Sequence, residues 1–490
     1  MTSEDRVVDV VVVGAGIGGL TTAALLSKFG QSVTLVEANK FPGGLLRSYS
    51  REGVDCPLGV HYFGACGEGE LLRTVFDLLG ITGQLGLQRL GQDGPLDRYL
   101  YQGSVFDLPG TFDALPDALA RRFPRERAAI DAVVQALRAA GAVFEIGGGG
   151  ARPGGARFDD AMMSAEEYYA RLGCSRELID VIGVPAVWLG STVAQCPAPL
   201  HRMTLASFLL SSWRLGCTGA QLADLYVDRL LGHGGTLVTR SPVQRLLVEQ
   251  GRAAGVVTGA GTTIRARRVV AAVHPKQVLA WLPDSEQVGE RRRRLECLRE
   301  TRSAICLHAL VDARRRPPTP CHLYRIGSER ERWPVVFAQV RPSELPGHNL
   351  LTLIAAEHYQ NWQAWAATRT GKRGRDYRTA KAAVARELLD LAEQFVGGVA
   401  DARIIDSYTP LSVRDWVGVP EGGLYGVLRT RESMLPMAAL QRALLPGLRF
   451  VGQSVAAPGL LGVTLGALRV VGDLVGRREL ERALAGRAAA

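Results

Sequence analysis

Residues 7–13 read VVDVVVV and run straight into Gly14-Ala-Gly16-Ile-Gly-Gly19, a junction that leaves few folds open. A nearly unbroken β-branched run is the pattern of a strand buried on both faces of a parallel sheet. Residues 20–29 then predict a helix stopped by Gly30, and residues 32–36 a second strand ending on Glu37. In that order each glycine has a reason. Gly14 allows the tight turn, Gly16 lets a pyrophosphate approach the backbone, and Gly19 lets helix and strand pack closely. The helix's unpaired N–H groups and positive end then face the phosphates. Glu37, about 20 residues beyond the glycines, is placed to accept from an adenosine ribose. The segment predicts a Rossmann-like dinucleotide-binding unit and an α/β fold.

Two look-alikes are set aside. Residues 10–26 carry no charge, but four glycines interrupt them and they fall short of the roughly 20 apolar residues a spanning helix needs. Gly259-Ala-Gly261 has Ile264 where a third glycine belongs and leads into another strand, so it predicts a hairpin turn.

After Glu37 come Phe41-Pro-Gly43-Gly44-Leu-Leu-Arg47 and then Gly59-Val-His61-Tyr62-Phe-Gly64. A simple NAD dehydrogenase has no need of a second glycine loop here. The sequence resembles the large flavoprotein superfamily that carries a PGG loop after the ribose-binding acid, followed by a strand leading to the flavin. That resemblance implies FAD, with Gly43, Gly44 and Arg47 along its pyrophosphate and ring. The family's arginine usually follows the double glycine directly, where this chain has Leu45. A cysteinyl flavin is unsupported because no cysteine follows Cys321, so the FAD is expected to be non-covalent.

From about residue 81 to 215 the pattern turns helical, with helices expected at 115–122, 127–140, 164–172 and 204–213 and a capping box at Ser164-Ala-Glu-Glu167. Residues 147–155 (GGGGARPGG) read as a linker or lid. Nucleotide-binding character returns from 216, with a helix at 221–231 and strands at 236–240, 243–249, 254–257 and 264–272; in the family this block puts a strand residue, here Val243, beside the adenine. Residues 282–425 predict strands at 304–311, 335–340 and 349–355 and a helix at 377–395. The last return is Gly452-Gln453 and a helix opened by Gly459-Leu-Leu-Gly462, whose positive end suits the flavin edge where negative charge develops. The expected organisation is a discontinuous FAD-binding domain (1–80, 216–281 and 426–490) and an α+β substrate-binding domain made by two insertions (81–215 and 282–425).

From residue 7 to about 476 the chain resembles the phytoene desaturase, carotenoid isomerase and retinol saturase group, most closely in Gly59-Val-His61-Tyr62-Phe-Gly64, Gly423-Leu-Tyr425-Gly426 and the segment from Gly452 to Gly466. The resemblance implies a flavin enzyme acting on carbon–carbon bonds of a hydrophobic, polyene or isoprenoid-like substrate. His61 is a candidate catalytic residue, as proton donor or flavin contact, or else a packed loop histidine; Tyr425 is a second catalytic candidate, as a wall of the pocket, or else simple packing. Two other readings share the architecture. Flavin amine oxidases often place a lysine near the flavin, a role that none of Lys276, Lys372 or Lys381 suits. Lipid-binding chaperones of prenylated GTPases would not need the ribose acid and the terminal glycine helix together.

The net charge of +10 comes from arginine, with only five lysines, and indicates a compositional habit more than a nucleic-acid surface. Arg291 to Arg294 lie in an expected helix, as a solvated face or else a contact for phospholipid headgroups. Eight scattered cysteines form no CxxC pair, so neither zinc nor a disulfide framework is expected, and no metal. The acidic amino terminus runs into the first strand, which predicts a reducing, cytosolic setting. A lipophilic substrate adds peripheral membrane contact as an expectation, through the stretches around 123–140 and 207–213.

Overall fold

In the computed structural model of the chain, residues 7–101, 103–146, 162–282, 289, 292–293, 295–328, 330–440 and 444–488 are described. The valine run is β1 (Val8–Val13), followed by α1 (Ile17–Lys28) and β2 (Val33–Val36). β1 lies between β2 and the strand Thr263–Ala271, both parallel to it, and Thr236–Val238 extends the parallel set beyond β2. Val10, Val11 and Val12 are each at most 1% exposed, the both-face burial that the unbroken run predicts. Each contributes about 1.5–3 kcal/mol by leaving water. Arg252–Thr258 and Val243–Glu249 continue the sheet antiparallel, and the GAG at 259–261 is the hairpin turn expected of it. Leu448–Phe450 pairs parallel with Thr263–Ala271 and returns the chain to this sheet before its terminal helix, Gly459–Val475.

The second sheet runs Arg403–Tyr408, Ser303–Asp312, His348–Glu357, Val335–Pro342, His322–Ile326, Pro95–Tyr101, Ser104–Pro109. Its last two strands, with Gln88–Leu90 and Ser212–Arg214, lie in the segment where helices are expected to dominate and no strand is expected. Ser104–Pro109 does alternate, with Phe106 and Leu108 inside and Val105 and Asp107 outside. Pro95–Tyr101 hides its strand character because Asp97, fully buried, occupies an inward position that pattern reading assigns to an apolar residue. The helix expected at 204–213 is Ala198–Leu210 instead, and Trp213 belongs to a strand. Ser211 adopts an extended backbone there, and its hydroxyl accepts from the N–H groups of Cys66 and Gly67.

Residues 81–215 and 282–425 share one core. Tyr324 and Phe337 of the second pack among Tyr99, Leu137, Tyr169, Leu205 and Leu209 of the first. Phe123, Ile130, Val133 and Leu137 point into the same core, and Phe208 faces a cavity, so the apolar residues of the two stretches assigned to a membrane turn inward. Among the described residues no helix is long and apolar enough to cross a membrane. The loop at 147–155 lies outside the described residues, as do Arg291 and Arg294 of the arginine run.

The capping box forms as expected: Ser164 Oγ accepts from the N–H of Glu167 at 3.1 Å, and Glu167 Oε2 accepts from the N–H of Ser164 at 2.8 Å. Ser164→Ala is expected to cost about 1 kcal/mol in a urea titration and to leave the cofactor spectrum unchanged.

Candidate active site

The amino-terminal turn is built by backbone contacts that side chains would prevent. Gly14 has φ +98° and donates its N–H to Val36 O at 2.7 Å, and a Cβ on Gly19 would fall on the Gly14 carbonyl. Gly16, by contrast, has open space where its Cβ would be, and it caps α1 with no side-chain bond and no acid in the first turn. The helix therefore offers bare N–H groups and its positive end to that space. The second glycine loop rests on the first: Gly43 donates to Ala15 O at 2.7 Å, and a Cβ on Gly44 would lie 3.2 Å from Gly16 Cα. From the other end of the chain Gly452 (φ +119°) and Gly459 (φ +78°) both face open space, and Gly459–Val475 also begins without a side-chain cap or an acid.

These glycines open onto one cavity of about 1580 Å³, lined by Gly16, Gly43, Gly44, Gly452, Gln453, Gly459 and Gly462 at one end. Gln453 donates from Nε2 to Leu424 O at 3.2 Å, which ties it to the Gly423–Gly426 motif. Two uncapped helix N-termini meeting at side-chain-free backbone fit an anionic dinucleotide, and the volume exceeds the roughly 300–1,000 Å³ of an ordinary single-ligand pocket.

Gly14, Gly19, Glu37, Arg47 and Val243 do not line this cavity. Glu37 stands behind the turn, where Oε2 accepts from the N–H of Ala15 at 2.7 Å and Oε1 from the N–H and side chain of Asn39 at 2.8 and 3.0 Å. A carboxylate has about four acceptor positions, so one remains for a further donor. Arg47 lies with its guanidinium 4.8 Å from the Phe41 ring, and its stem closes over Gly43. Val243 is buried at the start of its strand, opposite Thr258.

The other half of the cavity is aromatic: Tyr62, Trp188, Phe208, Tyr324, Phe337 and Tyr425. Trp188 and Phe208 are 4.5 Å apart by ring centroids, and Tyr62 is 5.1 Å from Phe208. His61 also lines it, 5.2 Å from the Phe337 ring, with no hydrogen-bond partner for either ring nitrogen among the described residues. Burial, with His308, His322 and two arginines nearby, pushes its pKa down to about 3, so the imidazole is neutral and keeps one donor and one acceptor unmatched. An unmatched buried polar group costs about 1–3 kcal/mol, a cost that a bound molecule relieves. Tyr425 donates its backbone N–H to Thr301 Oγ1 at 3.0 Å, and burial pushes its phenol up to about 12. Three carboxylates reach the lining, and each is already paired: Asp180 with Arg176 at 2.9 Å, Glu300 with His274 and Lys276 at 3.0 Å each, and Glu331 with Arg325.

Sequence reading missed a polar cluster under the aromatic wall, formed by Asp97, His322, Arg214 and the hydroxyls of Tyr62 and Tyr324. Tyr62 stood inside the quoted Gly59–Gly64 motif, but its partners are far along the chain.

A mixed sheet with two glycine-opened helix ends facing one large cavity is the architecture of a flavin-dependent oxidoreductase. Residues 17–469 match the family of flavin containing amine oxidoreductases, and the chain belongs to that family. Its cofactor is FAD. Over 522 residues it is 24% identical to the human (Homo sapiens) all-trans-retinol 13,14-reductase, a match covering 94% of this chain and 84% of that one. It is 29% identical to a hydroxyneurosporene desaturase of Cereibacter sphaeroides over 297 residues, 55% of this chain and 57% of the other. Among solved structures, a putrescine oxidase bound to putrescine superposes with a TM-score of 0.65 at 17% identity, covering 96% of this chain and 100% of that one. That likeness is one of fold.

Proposed function

We propose that this enzyme transfers hydrogen to or from carbon–carbon bonds of a lipophilic polyene or isoprenoid-like substrate, with FAD bound non-covalently. One observation carries the reading: a single cavity joins the glycine cradle to an aromatic chamber that contains an unmatched neutral histidine. The named activities of the retinol reductase and the carotenoid desaturase, which are similar over much or all of the chain, support it.

FAD supplies the hydride- or electron-exchanging ring. In this reading Gly14, Gly16 and Gly19 shape the turn, and the bare N–H groups of α1 take the pyrophosphate. Glu37 uses its remaining acceptor position for the ribose, and Val243 lies on the adenine side. Gly43 and Gly44 keep the backbone close to the dinucleotide, with Arg47 screening it. Gly452, Gln453 and Gly462 present the terminal helix to the ring's polar edge. His61 and Tyr425 bound the reacting space, and the aromatic rings exclude water from it. Residues 1–80, 216–281 and 426–490 serve as the cofactor domain, and 81–215 and 282–425 as the substrate domain. A substrate of this class dissolves in lipid, so peripheral membrane contact belongs to the same reading.

Amine oxidation is disfavoured by the lining itself. Each lining carboxylate is neutralised by a cation, which leaves no free anion for an ammonium, and no lysine reaches the cavity among its described residues. Titrating the FAD-loaded protein with a conjugated polyene is expected to shift the flavin absorption, while putrescine leaves it unchanged. The opposite pair of results would refute the substrate class. Glu37→Gln, which puts an amide donor against backbone N–H groups, is expected to weaken FAD binding about tenfold or more in an equilibrium titration.

A further inference from the structure

Asp97 and His322 face each other across the parallel strands Pro95–Tyr101 and His322–Ile326, both sealed from solvent. His322 Nδ1 is 3.0 Å from Asp97 Oδ1, and Arg214 reaches His322 Nε2 at 3.1 Å. A guanidinium can only donate, so Nε2 is the acceptor and the imidazole proton sits on Nδ1, aimed at Asp97. On the other carboxyl oxygen, Tyr62 Oη lies 3.1 Å away, and Tyr324 Oη is 2.8 Å beyond Tyr62. The indole N–H of Trp188, also a donor only, reaches Tyr324 Oη at 2.9 Å.

Fixed donors at both ends leave two arrangements of the protons between them. With Asp97 ionised, Tyr62 donates to the carboxylate and Tyr324 donates to Tyr62. With Asp97 protonated, the acid donates to Tyr62 and Tyr62 to Tyr324, and the Tyr324 proton is left to the cavity that Tyr62, Trp188 and Tyr324 line. The two states differ by one proton, delivered at Tyr324. Burial raises the Asp97 carboxyl well above the usual range, while burial and Arg214 lower His322 well below its own; both shifts favour the arrangement with the proton on Asp97 and a neutral imidazole beside it.

We propose that Asp97, Tyr62 and Tyr324 form a proton wire that stores one proton at Asp97 and exchanges it with a substrate carbon through the Tyr324 hydroxyl. The proposal rests on the polyene reading above. In the hydrogenating direction, FAD held at the glycine cradle would, when reduced, supply a hydride with its electron pair to one carbon of the double bond. The π pair makes the second C–H bond, at the neighbouring carbon, with the proton of Tyr324. The Tyr324 O–H bond breaks, Tyr62 reprotonates Tyr324, and Asp97 reprotonates Tyr62. The carboxylate left at Asp97 is met by the Nδ1–H of His322, with the Arg214 charge behind it, and the cofactor ends oxidised. Dehydrogenation runs the same transfers backwards, with ionised Asp97 as the final proton acceptor.

Infrared spectra of the FAD-loaded wild type and Asp97→Asn test the stored proton without turnover. A protonated-carboxyl C=O band that moves in D2O and is missing from Asp97→Asn is expected; absence of that band, or its survival in the variant, overturns the wire whatever the substrate is. Tyr324→Phe and Tyr62→Phe remove one oxygen each and keep the rings. Both are expected to bind FAD and polyene as the wild type does and to lose about 100-fold in turnover, with the wild-type product taking deuterium from D2O at the carbon that Tyr324 protonates. Turnover within threefold of wild type in Tyr324→Phe, or a loss that merely tracks weaker polyene binding, overturns it. Should the wild type bind no polyene at all, the substrate class falls, and the carboxyl band still decides whether Asp97 holds the proton.

Discussion

Gly19→Ala is expected to yield a colourless protein that takes up added FAD at least about 100-fold more weakly than the wild type. The new methyl would fall on the carbonyl oxygen of Gly14, which is backbone and cannot rotate away. Gly14 is itself fixed by its bond to Val36 O and by its left-handed φ of +98°. The helix must therefore withdraw from β1, at an overpacking cost near the upper end of about 1–3 kcal/mol. That withdrawal moves the bare N–H groups of α1 away from the phosphates, and drawing the helix back on binding costs a similar amount again in affinity, about tenfold for each 1.4 kcal/mol. Gly16→Ala is the control, because open space surrounds its Cβ in the protein and only the dinucleotide itself would meet the methyl. Urea titrations of the FAD-free proteins should separate the two: Gly19→Ala destabilised, Gly16→Ala close to wild type. Equal yellow colour in Gly19→Ala and wild type would refute the role given to the turn.

The second large effect is acid instability well above the carboxylate range. His201, His308 and His322 are at most 1% exposed; burial pushes His201 and His308 down to about 4 and His322 well below its ordinary value. In the unfolded chain each takes up a proton near pH 6.5. Because the native value is depressed, the native state stays neutral while the unfolded state charges. Stability is therefore full above pH 6.5 and falls until the native histidines also protonate, near pH 4. Asp97 works in the opposite sense. Its raised carboxyl keeps a proton that the unfolded chain releases above about pH 3.9, so it gains stability as the pH falls. With His61, pushed down to about 3, four histidines stand against one acid, and the net slope between pH 5.5 and 4.5 is on the order of a few kcal/mol per pH unit. Urea midpoints measured from pH 7 to 4.5 should fall accordingly, and a flat profile would show that these histidines are hydrated.

The cofactor half of the molecule was legible because its chemistry is local. A strand, a turn, a helix and an acid within the first forty residues, and glycines opening the terminal helix, each carry their own physical reason at short range. The chamber was not legible in the same way. Asp97 is a buried acid in a strand, which breaks the alternation that would have announced Pro95–Tyr101, and its imidazole partner is 225 residues away. Proteins depart from local rules where function requires it, and Asp97 is such a departure. Tyr62 and His61 were noticed as spelling, but the meaning of Tyr62 depends on Tyr324 and that of His61 on an absence of partners, neither of which a single sequence displays. The helix ending at Leu210 was overrun for a related reason: the bonds that Ser211 accepts from Cys66 and Gly67 are tertiary.

The core shared by residues 81–215 and 282–425 has a functional consequence. Tyr324 and Phe337 come from the second of these stretches, Trp188 and Phe208 from the first, and Tyr62 and His61 from the glycine-rich amino-terminal segment. The chamber thus exists only when all three stretches are folded together, which links substrate shape to the cofactor sheet through the short chain from Gly59 to Gly64.

Anaerobic photoreduction of the FAD-loaded enzyme, followed by addition of a conjugated polyene without oxygen, tests the central claim most directly. The expected result is reappearance of the oxidised flavin spectrum together with a polyene that has gained two hydrogens. Flavin that stays reduced in the presence of polyenes, in a protein whose oxidised form is bleached by a small amine, would contradict it.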